Sequence, residues 1–276
     1  MLVNLKEILA MAEKENKAIG MFNATGLDSL QAIIQAAEEL QEPVIIAHAE
    51  VHNVYNDIAL VGPAMIAAAQ NASVPVCVHL DHGTSKEMVY RALRLGFTSV
   101  MVDASALPYE ENVALTKELT DIAHAMGASV EAELGRLPTD ENSNKVEDFY
   151  TDPKEAKSFV EATGVDALAI AFGTAHGFYK SQPKLDFEVV KGCKETTGLP
   201  LVMHGGSGVS EEGFRTAIAS GIRKINYYSY MSQAGYFAAK QTIEEGKSHY
   251  LHDVEFAAMK AMKEDVKKAI RIFSGK

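Results

Sequence analysis

The stretch Ala18-Ile19-Gly20-Met21-Phe22-Asn23, continuing as Ala24-Thr25-Gly26-Leu27, decides between the two folds that the chain's texture allows. Residues 18–23 are apolar on both faces, as in a strand buried within a parallel sheet. The turn behind them holds one glycine. A doubly wound open sheet would want Gly-x-Gly-x-x-Gly in this first βα turn, where phosphates approach the backbone. Without it a closed (β/α)8 barrel is favoured, with the open sheet as the alternative.

Seven further short runs resemble the first: residues 43–48, 75–81, 98–103, 128–134, 166–173, 199–204 and 221–227. Longer amphipathic stretches separate them. Leu30, Ile33, Ile34, Ala37 and Leu40 recur at helical spacing, as do Leu115, Leu119, Ile122 and Ala123. Asp152-Pro153-Lys154-Glu155 reads as N-cap, N1 proline and N3 acid. Residues 254–273 carry Phe256, Met259, Met262, Val266 and Ile270 on one predicted face. Eight strands alternating with helices predict an α/β chain: one (β/α)8 TIM-barrel domain over 1–276. A polar, lid-like loop at about 135–151 and C-terminal helices complete it.

The composition narrows the function. Of 276 residues, 26 are Lys or Arg and 37 are Asp or Glu, a net charge of −11. That excess argues against binding nucleic acid or an anionic membrane, both of which need a basic face. Two cysteines make no disulfide framework, and Cys77, in an apolar run, reads as a small buried hydrophobe. Neither a signal-peptide pattern nor an apolar run of transmembrane length is visible, so the expected location is the cytoplasm.

In a barrel the chemistry sits where strands end. These predicted strands end at Asn23, His48, Asp81-His82, Asp103, Glu131 with Glu133, the run Gly173-Thr174-Ala175-His176-Gly177, His204 and Asn226. His82, His176 and His204 suit a catalytic zinc, which takes three protein ligands and keeps one open position. The plain alternative is three satisfied polar residues. His79 shares a face with Asp81 one layer deeper and reads as buried support. His48, His52, His124, His249 and His252 read as surface or packing residues.

His204-Gly205-Gly206-Ser207-Gly208-Val209-Ser210 leads from the seventh strand into a predicted helix near Glu211. Glycines let backbone N–H groups converge on a phosphate, and the helix start favours the anion. Lys180 is a natural cationic partner; the alternative is a tight turn beside a solvated lysine. Asp81, next to a metal ligand, suits passing a proton to or from a hydroxyl, or orienting a histidine. In the long loop, Glu141, Glu147 and Asp148 are candidates for a second proton carrier.

With these residues in view, the chain resembles the class II, metal-dependent ketose-bisphosphate aldolases of the fructose- and tagatose-bisphosphate type. The resemblance rests on His79-Leu80-Asp81-His82-Gly83, Glu131-Ala132-Glu133-Leu134-Gly135, Gly173-Thr174-Ala175-His176-Gly177, His204-Gly205-Gly206-Ser207-Gly208 and Lys224-Ile225-Asn226, in the family's order. It implies a lyase that reversibly cleaves a ketose 1-phosphate or 1,6-bisphosphate to dihydroxyacetone phosphate and an aldehyde. It implies one catalytic Zn²⁺ on His82, His176 and His204, polarising the ketose carbonyl and stabilising an enediolate. Asp81 would move the proton of the C4 hydroxyl. Gly177, Lys180, Gly205, Ser207 and Ser229 would seat the 1-phosphate, and Asn226 would contact the enediolate region. Glu133 would be an alternate or supporting metal ligand. A monovalent cation near the phosphate and a homodimer or homotetramer are implied as well.

Three positions depart from the family's pattern, one of them Tyr230, where an acid is usual. Tyr228 stands where a small or acidic residue is usual, and Ser232 where the fructose-bisphosphate type carries an arginine for the distal phosphate. Tyr228 and Ser232 are candidate specificity positions. Three other functions compete: a Schiff-base aldolase using Lys224, a metal-dependent hydrolase, and a non-catalytic sugar-phosphate binding protein. The hydrolase would more often place His-x-His on the first strand.

Overall fold

The computed structural model describes residues 1–135, 150–179, 183–246 and 249–276. Lys180, Glu141, Glu147 and Asp148 lie outside the described residues, as does most of the predicted lid. Barrel strands and helices alternate: β2 (Ile19–Asn23), α2 (Leu27–Leu40), β3 (Val44–Ala49), α3 (Ile58–Asn71), β4 (Val76–Gly83), α4 (Lys86–Leu95), β5 (Ser99–Val102), α5 (Tyr109–Ala125) and β6 (Ser129–Leu134). The second half follows with α6 (Pro153–Thr163), β7 (Ala167–Ile170), α7 (Phe187–Thr197), β8 (Leu201–Met203), α8 (Glu211–Ser220), β9 (Ile222–Asn226), α9 (Ser229–Glu244) and α10 (Leu251–Ser274).

Each barrel strand pairs in parallel with the next, and β9 pairs with β2, Ile19 opposite Lys224. The ring is closed, so no strand of it is left as an edge. The open-sheet alternative is excluded.

Local chemistry explains the boundaries. The Asp152 side chain accepts from the N–H of Lys154 and Glu155, with Pro153 at the first helical position, so α6 starts where it was predicted. Gly164 ends it in the left-handed conformation. On α10, Met259, Met262, Val266 and Ile270 are buried as expected. Phe256 is not: it is 52% exposed, with the Lys260 Nζ over its ring. The predicted apolar face therefore begins one turn later.

Two cores stabilise the ring. One lies between the strands and the outer helices and includes Phe22, Ile33, Val78, Val100, Phe159, Phe172 and Phe273. The other fills the barrel's lower interior with Ile19, Met21, Ile45, Ala47, Cys77, Ala167, Ala169 and Val202. Onto this second core packs a helix that the sequence reading left out, α1 (Leu5–Glu15), preceded by β1 (Leu2–Val3), which pairs with β4. Leu5, Ile8, Leu9 and Ala12 of α1 are fully buried. Each large apolar side chain so buried is worth roughly 1.5–3 kcal/mol. Asn4 caps α1, and Glu7 returns a bond to the Asn4 N–H. The bottom of the barrel is thus plugged, and the strand ends at the top stay accessible. Among the described residues, no helix is long and apolar enough to cross a membrane.

Candidate active site

At the top rim the strand ends enclose a cavity of about 540 Å³. Successive strand residues face opposite sides, yet Asp81 and His82 both line this cavity. The backbone explains it. His82 has φ +46°, a left-handed conformation uncommon outside glycine, and the pairing of β4 with β5 shifts register between Leu80 and Gly83. The kink turns two consecutive side chains inward. Such strained residues concentrate at functional sites.

The three histidines converge. His82, His176 and His204 each bring a ring nitrogen to within 4.8 Å of the others. Their neighbours decide which nitrogens are free. His82 Nδ1 lies 2.6 Å from Asp103 Oδ2, and His204 Nε2 lies 2.9 Å from Glu131 Oε1. A ring nitrogen facing a carboxylate carries the proton and donates it. His82 Nε2 and His204 Nδ1 are left facing each other at 3.1 Å. That pair can be joined by a shared proton or by one cation. Burial, followed by the charge of His82, lowers the His176 pKa to about 3, so its imidazole is neutral and able to ligate. Burial opposes the charge on His82, but Asp81 and Asp103 outweigh it and raise its pKa to about 9, so a cation bound at Nε2 takes the place of a proton. With that proton displaced, three imidazoles, two of them oriented by carboxylates, form a donor set that fits zinc.

Two acids sit beside this set in opposite states. Burial opposes the charge on Asp81, but His82, His204 and Lys224 outweigh it and hold the carboxyl well below the usual range. Asp81 accepts from Asn23 Nδ2 at 2.9 Å and from Asn226 Nδ2 at 3.2 Å. It is an ionised, aimed carboxylate. Glu133 is pushed up to about 8, first by burial and then by Asp103. Its Oε2 is buried without a hydrogen-bond partner, 3.9 Å from His204 Nδ1. His82, Asp103 and Glu133 form a second cluster with metal-ligand spacing, so Glu133 stands where an alternate ligand would.

Beneath the rim lies a buried charge network. Lys224 Nζ, fully buried, is 2.8 Å from Glu131 Oε2 and donates to Asn226 Oδ1 at 2.8 Å. Burial opposes the charge of Glu131, yet Lys224 outweighs it and lowers its pKa to about 2. His79 is fully buried, bonded through Nδ1 to Ser99 Oγ at 2.8 Å. It supports the site from below, as its register predicted.

The glycine run after β8 lies against the same cavity. Gly205 has φ +66°, and a Cβ there would fall 2.2 Å from the Ala175 carbonyl oxygen, so only glycine fits. Gly177, Gly205, Gly206, Ser207 and Ser229 line the cavity together. The helix start that faces it is not the predicted one near Glu211. Ser210 caps α8 by accepting from the Gly213 N–H. The start of α9, at Tyr228 and Ser229, is not capped by the Tyr228 side chain and borders the cavity. The Ser207 hydroxyl accepts from the Tyr228 N–H at 3.2 Å and the Tyr230 N–H at 3.5 Å, which ties the glycine run to this helix start, whose positive end suits an anion.

Asn226, Tyr228 and Glu133 also line the cavity, whereas Ser232 sits one turn into α9, its N–H donating to the Tyr228 carbonyl, away from the lining. Three residues gain roles that the sequence reading did not give them. Asp103 and Glu131 orient His82 and His204. His52, read as a surface or packing residue, lines the cavity beside Tyr228. Asp103 and Glu131 were visible as polar strand ends; nothing in the sequence pointed to His52.

A (β/α)8 barrel that gathers three histidines, an ionised carboxylate and a glycine-walled cavity at its upper rim belongs to the barrel enzymes acting on small substrates at that face. The family described as fructose-bisphosphate aldolase class-II matches residues 3–276. The chain belongs to this family and is an aldolase, a carbon–carbon lyase. The fructose-bisphosphate aldolase of Staphylococcus aureus strain Mu50 is 40% identical over 279 residues, covering 99% of this chain and 97% of that one. The crystal structure of the YdjI aldolase from Escherichia coli K12 shares 40% identity with a TM-score of 0.89, over 99% of this chain and 97% of that one. The fructose-bisphosphate aldolase of Campylobacter jejuni, at 21% identity and a TM-score of 0.81 over 99% of this chain and 95% of that one, shares the fold.

Proposed function

We propose that this aldolase is zinc-dependent and reversibly cleaves a phosphorylated ketose, yielding dihydroxyacetone phosphate and an aldehyde. The observation that carries the reading is the pair of free nitrogens on His82 and His204, 3.1 Å apart, in one cavity with the ionised Asp81. His82 Nε2, His204 Nδ1 and His176 would hold the ion. When bound, zinc supplies Lewis-acid polarisation of a carbonyl.

The chain's own residues do the rest. Asp81 takes the proton of the C4 hydroxyl as the C3–C4 bond breaks, and returns it in condensation. Asn23 and Asn226 hold its two oxygens in place. Gly177, Gly205, Ser207 and Ser229 seat the 1-phosphate at the start of α9. Glu133 is an alternate or supporting ligand. Lys224, the lysine that a Schiff-base mechanism would need, is paired with Glu131 beneath the cavity and is not part of its lining.

The far half of the substrate is the less usual part. Among the described residues that line the cavity there is no Lys or Arg. A second phosphate would lack the charge-assisted grip that an arginine gives, worth about 1.5–3 kcal/mol. We therefore place a ketose 1-phosphate ahead of fructose 1,6-bisphosphate as substrate. Exposed Tyr236, Phe237, Ile243 and Leu251 on the C-terminal helices are consistent with a homo-oligomer.

Steady-state kcat/KM over a panel of ketose 1-phosphates and 1,6-bisphosphates tests the reading. EDTA should abolish cleavage and added zinc restore it. Asp81→Ala should keep the metal but slow cleavage by about 10²–10⁴-fold. Exchange of the C3 proton of dihydroxyacetone phosphate should suffer much less. Full activity in EDTA, or fructose 1,6-bisphosphate outperforming every other ketose, would refute the corresponding claim.

A further inference from the structure

His52 sits on a single 3-10 turn, Glu50–Val54, that follows β3 at the mouth of the barrel. The turn is pinned. Both Glu50 oxygens are engaged by the loop after β4: Oε2 accepts from the N–H groups of Thr84 at 2.7 Å and Ser85 at 3.1 Å, and Oε1 from the Ser85 hydroxyl at 2.7 Å. The Tyr55 N–H donates to the His52 carbonyl at 2.9 Å, closing the turn. The backbone of His52 is therefore fixed relative to Asp81 and His82, which precede that loop on β4.

Its ring is placed as firmly. It lies 4.9 Å from the Tyr228 ring, centroid to centroid, at 48°. Both residues line the catalytic cavity, with Ala49 and Val51 beside them. Burial lowers the pKa of His52, against the pull of Asp81, so the ring is neutral at neutral pH. A neutral imidazole has one donor and one acceptor nitrogen. His52 Nδ1 is buried and has no hydrogen-bond partner. Buried polar atoms are seldom left so, because desolvating them is costly. With Nδ1 closed off from solvent, a ligand in the cavity that His52 lines meets the ring at Nε2.

We propose that His52 is a specificity-determining residue for the aldehyde half of the substrate, binding a hydroxyl of a polyhydroxylated aldehyde that carries no terminal phosphate. The assignment rests on the aldolase reading above and extends it. Asp81 marks the reacting hydroxyl, and His52 and Tyr228, side by side, line the same cavity. A neutral ring pairs well with a hydroxyl and gives a phosphate no charge. Tyr228 adds a ring face and a phenolic hydroxyl, suited to an extended chain of carbons bearing hydroxyls.

The zinc-loaded enzyme tests this in the condensation direction, with dihydroxyacetone phosphate as donor. The aldehydes are glyceraldehyde and propionaldehyde, which match in length and differ in hydroxyls. In the parent enzyme glyceraldehyde should have the higher kcat/KM. His52→Ala should cut the glyceraldehyde-to-propionaldehyde ratio by roughly tenfold, the usual value of one hydrogen bond in a desolvated site. His52→Gln, which keeps a donor and an acceptor, should retain more of the ratio and serves if the alanine variant is unstable. An unchanged ratio in both variants overturns the assignment, as does a parent preference for glyceraldehyde 3-phosphate over glyceraldehyde. A parent enzyme that condenses neither aldehyde overturns the dihydroxyacetone phosphate reading itself, a failure seen before any variant is made.

Discussion

Asp103 and Glu131 each settle which nitrogen of a histidine is free, and they do so from different surroundings. Asp103 is a rim residue, also bonded to Ser105. Replacing it by Asn keeps the shape but weakens the hold on the His82 Nδ1–H. Asp103→Asn should lower zinc affinity by about 10–100-fold with the fold intact, read by competition with a chromogenic chelator. Glu131 also neutralises the buried Lys224. Glu131→Gln leaves that ammonium uncompensated and should cost stability as well, about 3–5 kcal/mol, read by denaturant unfolding of the metal-free protein. Equal stability of the two variants would contradict this division of roles. The three histidines and Asp81 were legible in sequence because barrel chemistry gathers at strand ends. His52 was not, because its place depends on a turn anchored by Glu50 to a loop more than thirty residues away.

At the scale of elements, the eight barrel strands lie where their apolar runs predicted, since a strand buried on both faces leaves a continuous signature. The N-terminal helix carried an equally plain one, with Leu5, Ile8, Leu9 and Ala12 at helical spacing behind the Asn4 and Glu7 capping box. Its destination was hidden, because spacing says that a face is buried but not against what. The junction behind α1 carries a charge pair that responds to pH. Lys17 and Glu42, both buried, meet at 2.6 Å, and Glu15 lies 2.9 Å from the same ammonium. Burial opposes the charge on Lys17, but Glu42 and Glu15 outweigh it and raise its pKa. A raised folded-state pKa stabilises fully below the unfolded value of about 10.4, and that contribution disappears as pH rises through the folded value. The stability difference between the parent and Lys17→Met should thus be constant from pH 7 to 9.5 and shrink above about 10.4. Urea unfolding of both proteins across that range checks the sign, and a difference that grows with pH would contradict it.

For the whole molecule, the plug matters most. Leu9 points from α1 into the barrel's lower core and is fully buried. Leu9→Ala should cost about 2–5 kcal/mol, read from the denaturation midpoint. Zinc content should be unchanged, because the histidines stand at the opposite end. Loss of zinc together with stability would mean that the plug and the rim are coupled through the charged layer of His79, Glu131 and Lys224.

The same plug makes the cavity a cul-de-sac. Among the described residues α1 closes the floor, so both reactants of a condensation and both products of a cleavage are expected to pass through the mouth at the top. The reactant that reaches the fully buried His204 sits deepest, and the one that meets the partly exposed His52 is expected nearer the mouth. Traffic must then be ordered, the donor entering first and leaving last. In initial-rate kinetics of cleavage, dihydroxyacetone phosphate should inhibit competitively against the ketose and the aldehyde noncompetitively. The reverse pattern would mean that a second route opens into the barrel during turnover.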